Sequence, residues 1–306
     1  VVMLDIFNNR ISNDFVQSKF IALADLVRQL PYSAKPIKAD LQDARELPLD
    51  NQSVDFAITS PPYINVFNYH QNYRKSMEVL GWDLLRVARS EIGSNRANRG
   101  NRFFTVIQYC IDMADTIQEL ARVLKPGTRA VLIVGHESKV LGASFYNADI
   151  VEKIAVQSGV FDILLRQNRV FTNRFGEAIR EDILNLRRES YTTNSALAPT
   201  IGRIVAREAL TVAAKNVPES NSHLLAEAVS RIDKTKGTPI FNAVNYADYH
   251  TRESVMMVKE KGETSMNNDI PRLPTPHLDK LNALLLNRRL PAVDKPRIKE
   301  ALQRYQ

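Results

Sequence analysis

The sequence predicts an α/β fold, a mostly parallel sheet with helices on both faces and an antiparallel strand pair near Phe161 to Arg187, followed by a smaller helical region. Three observations carry this expectation. The apolar run Val54 to Ile58 has the length and composition of a buried strand, and Ser60-Pro61-Pro62-Tyr63 stops it abruptly. Phe103, Val106, Ile107, Cys110, Ile111 and Ala114 recur at helical spacing, and a second apolar run, Ala130 to Gly135, follows them. Phe161 to Phe171 and Asp182 to Arg187 then read as the two arms of a hairpin.

Taken from the amino end, Val1 to Leu4 reads as a strand ending in an acid, Asp5, about Ser12 to Leu30 as a helix, and Pro36 to Ala39 as the next strand. After the hairpin the chain changes character near Glu189. Ser190 to Ser195 is polar and turn-like, and Ile201 to Lys215 and Leu224 to Ile232 read as amphipathic helices. Thr235 to Ser265 is polar and mixed. Pro271, Pro274 and Pro276 stiffen a linker ahead of helical units at Leu278 to Leu290 and near Pro296 to Tyr305. The expected division is a core over 1–188 and a mainly helical region over 189–306.

The tetrapeptide is the chemically informative feature. Two consecutive prolines fix two φ angles and end ladder pairing, so the last carbonyls of the strand are free to grip something other than a neighbouring strand. Ser60 adds a hydroxyl that donates or accepts, and Tyr63 an aromatic face. Such a tip suits an exocyclic amino group on a nucleobase, whose lone pair is delocalised into the ring. Hydrogen bonds to Ser60 and to the carbonyl before Pro61 hold the nitrogen closer to tetrahedral, while Tyr63 stacks on a base swung out of its helix. A Pro-Pro turn followed by an ordinary partly buried tyrosine is the competing reading.

The surrounding residues add a resemblance. Asp43-Ala44-Arg45-Glu46-Leu47-Pro48, Ser53-Val54 and Asp55-Phe56-Ala57-Ile58-Thr59-Ser60-Pro61-Pro62-Tyr63 resemble the signature of the amino-methyltransferases that modify DNA, and Glu119-Leu120-Ala121-Arg122-Val123-Leu124-Lys125-Pro126-Gly127 continues it. The resemblance covers about two thirds of the chain. It implies a Rossmann-like, S-adenosylmethionine-dependent methyltransferase core, with Ser60, Pro61, Pro62 and Tyr63 as the catalytic residues. A serine at the first position resembles the cytosine-N4 enzymes, in a restriction-modification setting, and adenine N6 stays as the alternative. Asp5, Asp43 and Thr59 are the expected donor-pocket residues; a solvated strand end for Asp5 and a helix or turn cap for Asp43 compete.

The family's glycine-rich turn after its first strand is not among the eleven glycines. Leu4-Asp5-Ile6-Phe7-Asn8-Asn9 comes nearest but has asparagines where glycines are needed for close backbone approach. Because only one helix separates Val1 to Leu4 from Pro36 to Ala39, Val1 to Leu4 fits the family's second strand, with Asp5 placed for the donor ribose. The expectation is that the glycine-rich unit lies upstream or on a second polypeptide. A base methyltransferase acting on structured RNA, and a DNA-binding half-enzyme needing that partner, remain alternatives.

Composition bounds the partners. The chain has 306 residues, 44% of them hydrophobic, and a formal net charge of +7, which is compatible with a polyanion such as DNA. A single cysteine, Cys110, builds neither a disulfide framework nor a thiolate metal site, and the five histidines are dispersed, so no metal is expected. No apolar run approaches the ~20 residues a membrane span requires, and a cytoplasmic location is expected. Arg86, Arg89, Arg96, Arg99 and Arg102 fall among glycine, serine and asparagine, and read as a flexible loop that orders on a phosphate backbone. Phe67 and Tyr69, in an aromatic and amide-rich stretch, are candidates to fill or stack in the gap left by an extruded base, or simply to pack the following helix. His136 is placed after a strand, where it either reaches the cleft or stays a surface histidine.

Overall fold

In a computed structural model the described residues are 12–32, 34–64, 69–79, 82–93, 98, 100–173, 175–189 and 193–241. The expectations over Val1 to Asn9, Asp5 included, those at Phe67, Arg96 and Arg99, and those beyond residue 241 lie outside them.

Helix α1, Asn13–Gln29, opens on Ser12, whose hydroxyl accepts from the Phe15 amide at 3.1 Å. It buries none of its residues. Strand β1, Val54–Thr59, leads into three short helices, α2 (Tyr69–Asn72), α3 (Arg74–Val79) and α4 (Leu84–Ser90). Helix α5, Phe103–Val123, is central: all six residues of the predicted apolar stripe are buried in it. Strand β2, Leu124–Gly135, follows directly, then the small hairpin β3 (Glu137–Val140) and β4 (Ala143–Tyr146), helix α6 (Asn147–Gln157), β5 (Phe161–Thr172) and β6 (Ala178–Arg188). Helices α7, Ala198–Ala213, and α8, Glu219–Ser230, close the described chain.

The main sheet has the order β1-β2-β6-β5. β1 runs parallel to β2, and β6 is antiparallel to both β2 and β5. Three of the four strands therefore share one direction, and the reversed β6 supplies the expected antiparallel pair. The fold is α/β, with a mostly parallel sheet.

Burial follows the pleat. Ala130, Leu132 and Val134 of β2, with Leu184 and Leu186 of β6, are buried with α5 and α6 residues in one core. α7 packs against α5 so closely that a Cβ at Gly202 would stand 2.5 Å from the Ile111 Cα. Ala198, Ile201, Val205 and Leu210 of α7 thus belong to the same core, so the described part of the expected second region is continuous with the first.

Two expectations are corrected. Pro36 to Ala39 forms no strand, and Ile37 is 83% exposed; a strand needs a neighbour to satisfy its backbone, and none pairs there among the described residues. β1 is a strand but not a buried one, since Phe56 and Ile58 are 52% and 64% exposed. They share a face with Val131, the register partner of Ile58, and among the described residues no helix covers that face.

Candidate active site

The parallel pairing sets the site. β1 ends at Thr59 and β2 at Gly135, so both carboxyl ends open at the same edge of the sheet, where open α/β sheets bind ligands. Ser60 to Tyr63 leaves the sheet there. Pro61 and Ile64 are buried, and the Ile64 amide donates to Asn147 Oδ1 at 3.2 Å. Asn147, the first residue of α6, also donates through Nδ2 to the Gly135 carbonyl at 3.0 Å and to Ser138 Oγ at 2.9 Å. One buried amide side chain thereby ties the exit of the tetrapeptide to the end of β2.

Two glycines fit the tyrosine. At Gly135 a Cβ would meet the Tyr63 ring at 2.8 Å, so the ring lies directly over bare backbone. Gly93 has φ +79°, and a Cβ there would stand 2.9 Å from the Tyr63 carbonyl oxygen. Held this way, the Tyr63 hydroxyl lies 3.4 Å from Ser60 Oγ and 3.4 Å from Glu181 Oε1, to which it donates. Glu181 pairs across the sheet with Gly135 and with Arg169, whose Nε donates to Oε2 at 3.1 Å. Ser60 itself is exposed.

The neighbouring residue points the other way. Asp182 is fully buried, and its carboxylate accepts from Arg166 Nε at 3.2 Å and from Asn168 Nδ2, with His136 Nδ1 at 2.8 Å. His136 therefore sits beside the cleft, 34% exposed and hydrogen-bonded to Asp182 of the sheet, with its ring edge-on to Tyr146.

The other candidates separate. Thr59 is exposed at the strand end, next to the tip. Asp43 is closed off: Arg45 donates to its Oδ1 at 2.9 Å and Oδ2 at 2.7 Å, and the Phe241 amide to Oδ2 at 2.8 Å. Burial works against this carboxylate, but those donors outweigh it and hold it below the usual aspartate range. The same Arg45 reaches Asp112 Oδ1 at 2.9 Å, making a buried clasp between the loop before β1, α5 and the segment after α8. Arg86 and Arg89 lie in α4 rather than in a loop, because Asp83 Oδ1 caps that helix by accepting from the Leu85 and Arg86 amides. Arg102 is the N-cap residue of α5, and Tyr69 opens α2, whose His70 amide donates to Glu91 at 2.8 Å. Among the described residues no cluster of histidine, cysteine or acids is arranged to hold a metal, and no helix is long and apolar enough to cross a membrane.

Glu181, Gly135, Gly93 and Asn147 escaped the sequence reading. The available signal was the reversed arm of the hairpin: pairing antiparallel to β2, it starts where β2 ends, so its first residues arrive at the site.

Comparison with known proteins gives partial fold likenesses. No protein-family model matches the chain, and no curated protein matches it. Among solved structures, a SAM-dependent methyltransferase of Methanosarcina mazei aligns at 14% identity and TM-score 0.33, over 56% of this chain and 78% of that one. A candidate DNA modification methylase of Thermus thermophilus aligns at 20% identity and TM-score 0.29, over 50% of this chain and 53% of that one. The same methylase complexed with S-adenosyl-L-methionine gives 18%, 0.30, 50% and 54%. The alignment thus spans about half the length of the Thermus protein, and overlaps this loose leave the function to the site itself.

Proposed function

We propose that this chain is a site-specific, S-adenosylmethionine-dependent DNA methyltransferase that acts on the N4 amino group of cytosine, in a restriction-modification setting. The observation that carries the reading is the convergence of the Ser60 and Tyr63 hydroxyls, 3.4 Å apart, at the carboxyl ends of two parallel strands. Ser60, with the carbonyl before Pro61, takes the two amino hydrogens and localises the nitrogen lone pair. Pro61 and Pro62 keep that carbonyl unpaired, and Tyr63 offers the outer side of its ring to the extruded base. S-adenosylmethionine supplies an electrophilic methyl. The amine would become acidic on gaining that methyl and would lose a proton to solvent, so no strong base is needed. The exposed Arg89 and the half-buried Arg86, with Arg102, Arg96 and Arg99, are the proposed phosphate contacts, and Phe67 and Tyr69 the proposed side chains that stack on the extruded base or fill its gap.

Of the donor-pocket candidates, Thr59 stands at the mouth of the site, whereas Asp43 is occupied by Arg45. The donor pocket is thus incomplete within the described residues. That favours a second reading, in which a further polypeptide or segment supplies the glycine-rich turn and covers the exposed β1 face.

The test is to incubate the protein with labelled S-adenosylmethionine and mixed-sequence DNA, digest to nucleosides and identify the product by mass spectrometry. N4-methylcytosine supports the assignment; N6-methyladenine overturns the base and keeps the chemistry. No product with DNA binding intact supports the partner-dependent form. Ser60→Ala is expected to cut methyl transfer by roughly 10²–10³-fold while leaving DNA affinity within about threefold. Equal loss of both counts against the enzyme reading.

A further inference from the structure

We infer that Glu181 is a positioning residue for methyl transfer, acting through the Tyr63 phenol; this rests on the reading above. Four polar groups run in line from the strand tip to solvent. Ser60 Oγ lies 3.4 Å from the Tyr63 hydroxyl, which donates to Glu181 Oε1 at 3.4 Å, and Arg169 Nε donates to Glu181 Oε2 at 3.1 Å. The Glu181 side chain is 12% exposed and Arg169 is half exposed, so the chain passes from the site to the surface. The sheet sets the Glu181 links: Glu181 pairs opposite Gly135, over which the Tyr63 ring lies, and opposite Arg169 on the other side.

A phenol rotates freely about its C–O bond, and its one proton goes to the best acceptor within reach. With Glu181 present the acceptor is a carboxylate held in place by a guanidinium, and a charged acceptor gives the stronger bond. The Tyr63 proton then points at Glu181, which turns an oxygen lone pair toward Ser60. Ser60 can donate to that lone pair while its own lone pair accepts from the substrate amine. Without the carboxylate the phenol can donate to Ser60 instead and compete for the lone pair the amine requires. Glu181 therefore sets the direction of hydrogen bonding along the chain without touching the base.

The test uses Glu181→Ala and Glu181→Gln, each also combined with Tyr63→Phe, which keeps the ring and removes the hydroxyl. Removing the carboxylate is expected to lower kcat for methyl transfer to DNA by about tenfold with KM and the melting midpoint little changed, and to have no further effect in the Tyr63→Phe background. In parallel, 3-fluorotyrosine at position 63 reports the contact without any turnover, and its ¹⁹F resonance is expected to shift in Glu181→Ala. An unmoved resonance overturns the contact. A shifted resonance with unchanged kcat, or an equal loss in the Tyr63→Phe background, overturns the positioning role. A resonance that shifts in Glu181→Ala, with a wild-type protein that makes no methylated base, overturns the methyltransferase reading and leaves the contact standing.

Discussion

At Gly135 a single missing methyl group decides the shape of the site. An alanine there would place its Cβ 2.8 Å from Tyr63 Cδ2 and 2.9 Å from Cε2, inside van der Waals contact, and the backbone at Gly135 is held by its pairing with Glu181 and by the Asn147 side chain. The ring is the part that moves. Gly135→Ala is expected to cost about 1–3 kcal/mol of stability, read by denaturant unfolding. It should also reduce methyl transfer at least tenfold by swinging the Tyr63 hydroxyl away from Ser60. Ser60 and Tyr63 were legible because a local signal, two prolines at a strand end, marks them. Glu181 was not, being 118 residues from Tyr63 in sequence and brought there only by β6 pairing.

Among elements, the clasp around Arg45 holds three separate pieces of chain. Its side chain is 2% exposed, and the Asp43 and Asp112 side chains are 6% and 0% exposed. Arg45→Ala would leave the Asp43 carboxylate and Asp112 buried without the guanidinium that bonds them both, a loss expected to cost about 3–5 kcal/mol. Burial pushes the Asp112 carboxyl up to about 7, against the pull of Arg45 and of the Thr238 donors. Its folded value thus lies above the unfolded one. Between about pH 4 and pH 7 the native protein holds a proton that the unfolded chain has released, and this group's contribution to stability falls as pH rises through that window. Over the same range the melting midpoint of the wild type should fall relative to Asp112→Asn. No sequence signal announces this clasp, since Arg45 and Asp112 are brought together only by tertiary packing. α5 by contrast was legible, because a 3.6-residue apolar period has one physical meaning when it recurs over a long segment. The apolar run of β1 identified a strand but not its surroundings, because composition records what a strand needs covered and not what covers it.

For the molecule as a whole, the uneven covering of the sheet matters most. One face carries the core shared by α5, α6 and α7, while Phe56 and Ile58 on the other face, and Phe20, Ile21, Leu26 and Val27 of α1, are each half exposed or more. Apolar residues beside a strand edge promote association. The isolated chain is expected to self-associate in a concentration-dependent way in sedimentation velocity. The double substitution Phe56→Lys and Ile58→Lys should suppress this with less than about 1 kcal/mol loss of stability, both side chains being exposed. Association that persists unchanged would place the sticky surface elsewhere.

The lone thiol, Cys110, has a practical corollary. It is the single sulfhydryl in 306 residues, it is shut into the central helix with 0% exposure, and burial pushes its ionisation far upward. A maleimide dye should therefore ignore the folded protein, and slow labelling of the wild type becomes a clock for the opening of that helix. The converse is that Ile58→Cys would give a preparation with one reactive handle, already sited on the uncovered face, where a fluorophore would report whatever molecule comes to rest against it.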